Sequence, residues 1–194
     1  MYKTRILVEG TVVAALSLVL SFIPTTIGSS FTISLGMIPM TLFALRRGLK
    51  PALMAAFIWG ILHFPASQVV YLSVVQVLIE YPIAFTFAGF AGLYAKKVQQ
   101  ALVEQDVRKA RKMIILGSFV GTSTRFFWHF IAGVVFWGSY ALWGMNPWLF
   151  SLVMNGVSGL ATAIVTAIVA VLVAEKAPQL YLPKDGLLVQ RKSQ

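Results

Sequence analysis

Four stretches of the chain, Ile6–Pro24, Val69–Tyr94, Met113–Trp137 and Trp148–Ala174, are almost continuously apolar. A helix that crosses a bilayer needs about 20 such residues, and a single soluble core has no room for four of them. Only 11% of the 194 residues are charged while 58% are hydrophobic, against about 25% charged in a soluble domain. The same numbers exclude a disordered chain, which is poor in apolar residues. The expectation is an all-α integral membrane protein. Lys3 and Arg5 precede the first stretch and no small-residue cleavage site follows it, so the first helix is read as retained.

Two shorter apolar runs, about 15 and 14 residues long, lie between Phe31 and Phe64. Arg46-Arg47-Gly48-Leu49-Lys50-Pro51 separates them. A re-entrant hairpin would leave three cations inside the bilayer, at roughly 2.5–3.5 kcal/mol each. Two short helices joined at the far surface avoid that cost, and Pro51 suits the first turn of the second, where a missing N–H costs nothing. The count is six transmembrane helices in a single domain over residues 1–194.

This arrangement orders the charge. Lys3 and Arg5, the trio Arg46, Arg47 and Lys50, the group from Lys96 to Lys112, and Lys176, Lys184, Arg191 and Lys192 all fall on one face. Of the 16 basic residues only Arg125 stands apart. The opposite loops carry no charge. The positive-inside rule then puts both termini in the cytoplasm. Topology accounts for the formal charge of +10, so nucleic acid is not an expected partner. Residues 96–112 read as a cytoplasmic loop, either solvated or touching the membrane surface or a partner. The polar tail, about 176–194, reads as loosely ordered. No fixed-period repeat is visible.

Ionisable side chains inside a membrane are costly and point to function. Glu9, near the start of helix 1, can reach the interface. Glu80 lies within Gln76-Val-Leu-Ile-Glu80-Tyr81-Pro82, where the proline bends the helix; it reads as the middle of helix 4. Arg125 and His129, four residues apart on helix 5, share a face. Glu80 and Arg125 could neutralise each other. Alternatively, with Tyr71, Tyr81, Trp128, Trp137, Tyr140 and Asn155 they suit a flat, nitrogen-rich or cationic ligand, through aromatic faces and a charge-assisted hydrogen bond. Trp143 and Trp148 read as interfacial belt residues.

Catalysis finds little support. The chain has no cysteine and two histidines, no nucleophile elbow, no H-E-x-x-H and no phosphate-binding G-x-x-x-x-G-K-[ST] loop. Neither a metal nor a cofactor is expected. A binding protein or transporter subunit fits better than a membrane enzyme or scaffold.

Arg125-Phe-Phe-Trp-His129-Phe-Ile-Ala-Gly-Val-Val-Phe-Trp137-Gly-Ser-Tyr140-Ala, Ser151-Leu-Val-Met-Asn155-Gly156, Leu45-Arg-Arg-Gly48, Ile58-Trp59-Gly60-Ile61-Leu62 and Ile79-Glu80-Tyr81 together resemble the thiamine-type S components of energy-coupling factor (ECF) transporters. The resemblance runs from helix 1 to helix 6. It implies a six-helix subunit that captures a vitamin from outside, powered by a transmembrane coupling protein and two ABC ATPases. It also implies that Glu80, Tyr81, His129, Trp137 and Asn155 line the ligand site. Arg125 stands where the family commonly has lysine, and Phe150 where it commonly has tyrosine. A small-residue face on helix 1, here Thr11-x-x-x-Ala15 with Gly10 and Ala14 beside it, would dock the coupling protein. The first outer loop departs from the family: Ser30 and Ser34 stand where a tryptophan and a glutamate are common. That loss leaves thiamine and its neutral hydroxymethylpyrimidine precursor both open as ligands, with another vitamin such as pyridoxine as the alternative.

Overall fold

The computed structural model describes residues 2–27, 31–184 and 187–188. Among them the chain forms six helical rods: α1 (Tyr2–Ser21), α2 (Met37–Arg47), α3 (Leu49–Leu62), α4 (Val74–Val103), α5 (Val107–Phe136) and α6 (Pro147–Lys176). The connection between α1 and α2 adds a two-stranded antiparallel pairing, Thr26–Ile27 with Phe31–Thr32, which the sequence reading did not anticipate.

The packing is inverted relative to a soluble protein. Along α6, Val157, Leu160, Ile164, Ile168 and Leu172 point outward, while Ser158, Thr162, Ala163, Thr166, Ala167 and Ala170 are buried. Along α1, Val8, Val12, Leu16 and Val19 face out and Gly10, Ala14 and Ser17 face in. Large apolar side chains outside and small ones at the helix contacts are what a bundle solvated by lipid requires.

α1, α4 and α6 are long and apolar enough to cross a bilayer. α5 matches α6 at 30 residues but is loaded with polar side chains from Thr122 to His129. α2 and α3 have 11 and 14 residues. At 1.5 Å per residue they reach only about 16 and 21 Å, short of the roughly 30 Å hydrocarbon core. They meet at Gly48, whose φ of 84° makes the turn with a residue that carries no Cβ.

α4 departs from the expected Val69–Tyr94. It starts at Val74, where the Ser73 hydroxyl accepts from Gln76 N (3.1 Å), and continues nine residues past Tyr94. Glu80 is therefore in its second turn, near one end, and not in its middle. The stretch Ile79–Ile83 widens into a π-helical turn around Pro82. An α-helical ring at Pro82 would press on the Leu78 carbonyl and lack an N–H to offer it; widening relieves both. The Ala88–Tyr94 stretch tightens to 3-10 geometry.

Residues 96–112 are not a loop. α4 runs to Val103, only Glu104, Gln105 and Asp106 connect it to α5, and the Asp106 carboxylate caps α5 through Lys109 N (2.9 Å). Buried Val98, Gln99 and Ala101 hold this helical end against the bundle. The described part of the tail is packed too. Tyr181 is fully buried, and burial raises its phenol above the ordinary range. Its hydroxyl donates to Ala170 O (2.6 Å). Arg46 Nη1 donates to the carbonyls of Gln179 and Leu180. The polar composition of the tail concealed these few anchoring groups.

The basic segments converge on one end of the bundle. Glu9 binds Arg47 through both oxygens (2.6 and 2.7 Å) and Arg46 at 3.3 Å. Arg111 pairs with Glu175 at 2.8 Å. Glu9 is thus a structural acid that locks α1 to the α2–α3 turn.

Candidate functional site

At the other end of the bundle, the wide turn of α4 turns Glu80 towards α5. Trp137 Nε1, at the end of α5, donates to Glu80 Oε1 (2.7 Å), and Gln76 Nε2, one turn back on α4, donates to Oε2. Each carboxylate oxygen thereby has one protein donor. A carboxylate offers about four acceptor positions, so two remain. The π turn is accommodated by Gly60 on α3, since a Cβ there would sit 2.5 Å from the Tyr81 carbonyl oxygen.

Glu80 opens on a cavity of about 190 Å³ lined by His129, Gly133 and Trp137 of α5, Tyr140, and Phe150, Ser151, Met154 and Asn155 of α6. Trp137 and Tyr140 form one aromatic wall, their rings 5.5 Å apart. Asn155 Nδ2 donates to Ser151 Oγ (3.1 Å), which donates to Phe130 O (2.8 Å). That leaves the Asn155 carbonyl for other partners. His129 Nε2 is buried and has no hydrogen-bond partner. The cavity thus joins one carboxylate with aromatic faces, an imidazole and an amide. Those are the means to orient a flat, donor-rich ring.

Arg125 does not neutralise Glu80. It lies three helical turns below Trp137, donates from Nη1 to Ser34 Oγ (2.6 Å), and is otherwise enclosed by rings: Phe85 at 4.1 Å, Trp59 at 4.9 Å and Phe126 at 5.5 Å. Among the described residues no carboxylate pairs with it. These cation–π contacts and the Ser34 hydroxyl hold a guanidinium that lipid would otherwise penalise heavily.

The geometry brings together Glu80, His129, Trp137, Tyr140, Phe150 and Asn155. It places Tyr81, Arg125 and Ser34 behind the cavity wall. The Tyr81 hydroxyl accepts from Val70 N (2.9 Å), and Ser34 N donates to Thr162 Oγ1 (3.1 Å). Tyr71 is not brought in: it precedes the first turn of α4 and is 66% exposed. Ser30 lies outside the described residues. On α1 only Thr11 and Ala15 of the expected docking face are exposed. Gly10 and Ala14 are buried, and a Cβ on Gly10 would stand 3.2 Å from Phe43; Gly10 forms part of the floor of an apolar groove between α1 and α3. Trp143 and Trp148 are exposed. Sequence reasoning missed Gln76, Ser151 and Met154. Gln76 was detectable as the polar residue one turn before Glu80 on the same face.

Residues 7–182 match the family described as Thiamine transporter protein (Thia_YuaJ). The chain is 40% identical over 185 residues to the thiamine transporter ThiT of Lacticaseibacillus paracasei, covering 93% of this chain and 92% of that one. It is 32% identical over 149 residues to ThiT of Bacillus subtilis, covering 77% and 78%. A solved structure of ThiT from Listeria monocytogenes superposes with a TM-score of 0.92 at 44% identity, covering 94% of this chain and 100% of that one.

Proposed function

As the chain belongs to the thiamine transporter family, whose members are multi-pass bacterial plasma-membrane proteins that transport and do not catalyse, we propose that it is the substrate-binding S component of an ECF-type vitamin importer. Its ligand is thiamine or the hydroxymethylpyrimidine precursor, held at the Glu80 cavity. The observation that carries this reading is the Glu80 carboxylate, fixed by Trp137 and Gln76 with two acceptor positions left over. The exocyclic amine of an aminopyrimidine donates N–H to the carboxylate there, while its ring nitrogens accept from other groups. Trp137, Tyr140 and Phe150 supply flat faces for its ring, and His129 and Asn155 supply its remaining hydrogen bonds.

One membrane domain of six spans with both termini in the cytoplasm fits this role. The gathering of Arg46, Arg47, Arg111 and their acids at the end opposite the cavity supports it through the positive-inside rule. The cavity then faces outward, where a vitamin arrives. The chain has no nucleotide-binding loop, so ATP hydrolysis falls to two ABC ATPases reached through a coupling protein. The exposed, small Thr11 and Ala15 are the part of α1 available for that contact.

The precursor remains a ligand in this reading because the cavity lining carries a single carboxylate. Ser34 is engaged by Arg125 behind the cavity wall, so position 34 adds no second acid to the lining. The test is thermal unfolding of the purified chain with thiamine, hydroxymethylpyrimidine, pyridoxine and riboflavin. Stabilisation by the two pyrimidine compounds alone is expected. Stabilisation by pyridoxine or riboflavin instead would overturn the reading.

A further inference from the structure

Gln76 is fully buried and does not line the cavity, yet its side-chain amide is saturated. Nε2 donates to Glu80 Oε2 and to Val70 O (3.1 Å), and Oε1 accepts from Leu72 N (3.0 Å). The amide can sit only one way round. Reversed, its oxygen would face the Glu80 carboxylate and the Val70 carbonyl, and its NH2 would face the Leu72 N–H, so three repulsions would replace three bonds. The Ser73 hydroxyl fixes Gln76 N at the start of α4, and the Tyr81 hydroxyl takes Val70 N. Both backbone polar groups of Val70, and the N–H of Leu72, are thus held by side chains that flank Glu80. Val70, Tyr71 and Leu72 are themselves exposed, so these bonds, more than packing, place the segment.

We propose that Gln76 is a positioning residue: it aims the Glu80 carboxylate at the ligand and couples occupation of Glu80 to the conformation of the outer segment 70–72. This rests on the reading that Glu80 engages the ligand. A ligand donor arriving at the free acceptor positions of the carboxylate shares its oxygens with Gln76 and Trp137, and charge-assisted bonds in series polarise one another. Any change in the Glu80–Gln76 bond is passed by one rigid amide to Val70 O and Leu72 N.

The experiment uses the full chain in lipid nanodiscs, thiamine as the probe, and a nitroxide on Val70→Cys, whose bonded groups are main-chain. In the otherwise unaltered protein, thiamine immobilises the label. Gln76→Met, similar in length but without hydrogen-bonding groups, is expected to bind thiamine at least tenfold more weakly. At saturating thiamine its label should stay as mobile as without ligand. The infrared carboxylate band of Glu80, identified by its loss in Glu80→Gln, should shift in Gln76→Met even before ligand is added, which a merely structural role would not cause. If Gln76→Met does not fold, Gln76→Leu, which likewise has no hydrogen-bonding group, carries the same expectations. A label immobilised as in the unaltered protein, or an unmoved carboxylate band, overturns the proposal. Thiamine affinity unchanged in Glu80→Gln would instead overturn the site reading beneath it.

Discussion

Gly133→Ala tests the closeness of α5 and α6 at the cavity. A Cβ at position 133 would collide with Ser151 Oγ and stand 3.1 Å from both Ser151 Cβ and Asn155 Nδ2. Both positions lie within 30-residue helices, so the side chain must yield before the backbone does. Moving the Ser151 hydroxyl breaks its bond to Phe130 O and frees Asn155. Overpacking costs about 1–3 kcal/mol and the lost bond about 1 kcal/mol, while alanine's better helix propensity returns about 1 kcal/mol. The net loss of about 1–3 kcal/mol corresponds to a fall in Tm of roughly 2–4 °C per kcal/mol for a chain of this size. Adding Ser151→Ala removes the colliding atom, so the double variant should be more stable than Gly133→Ala alone although it removes a further hydroxyl. The assay is thermal unfolding of the three purified variants. A Gly133→Ala protein melting with the unaltered one, or a double variant losing the sum of the two single losses, would refute the reasoning.

Glu80→Gln keeps the shape but sets an NH2 against either Gln76 Nε2 or Trp137 Nε1; with one charge-assisted bond lost, thiamine affinity measured by calorimetry should fall by about 1.5–3 kcal/mol. Cysteines at Ser67 and Ser139 should react with an impermeant reagent from outside intact cells and one at Lys97 should not; the reverse pattern would invert the proposed topology. Thr11→Trp and Ala15→Trp should abolish co-purification with the coupling protein and ATPases while leaving ligand binding intact, whereas concentrative uptake by this chain alone would contradict that role. Ser34→Glu should pair with Arg125 and leave the preference between thiamine and hydroxymethylpyrimidine unchanged in competition binding. A shift of preference towards thiamine would contradict the placement of position 34 behind the cavity wall.

The site was legible in the sequence where it depended on helical spacing. His129 and Trp137 are eight residues apart on α5, little more than two turns, so 3.6 residues per turn brings both to the cavity side. What spacing could not supply was the relative height of helices. Glu80 and Arg125 looked like partners because each lay within an apolar run, but α4 starts at Val74 and continues to Val103. Glu80 is therefore level with Trp137, and Arg125 is level with Ser34. The same boundary shift removed Tyr71 from the site. Gly10 and Ala14 do not continue the face of Thr11 and Ala15, because positions 10 and 14 are rotated about 100° from 11 and 15; the first pair packs inward. Residues 96–112 looked like a loop because charge masked the buried stripe of Val98, Gln99 and Ala101. The anchoring of Tyr181 is a long-range contact with no local signature at all.

The central claim is that Glu80 and its aromatic cavity bind the pyrimidine of the vitamin. Calorimetric titration of the purified chain with hydroxymethylpyrimidine, which carries that ring alone, tests it most directly. Saturable one-to-one binding is predicted, lost in part in Glu80→Gln and displaced by thiamine. Thiamine binding that hydroxymethylpyrimidine neither matches in kind nor competes with would contradict it.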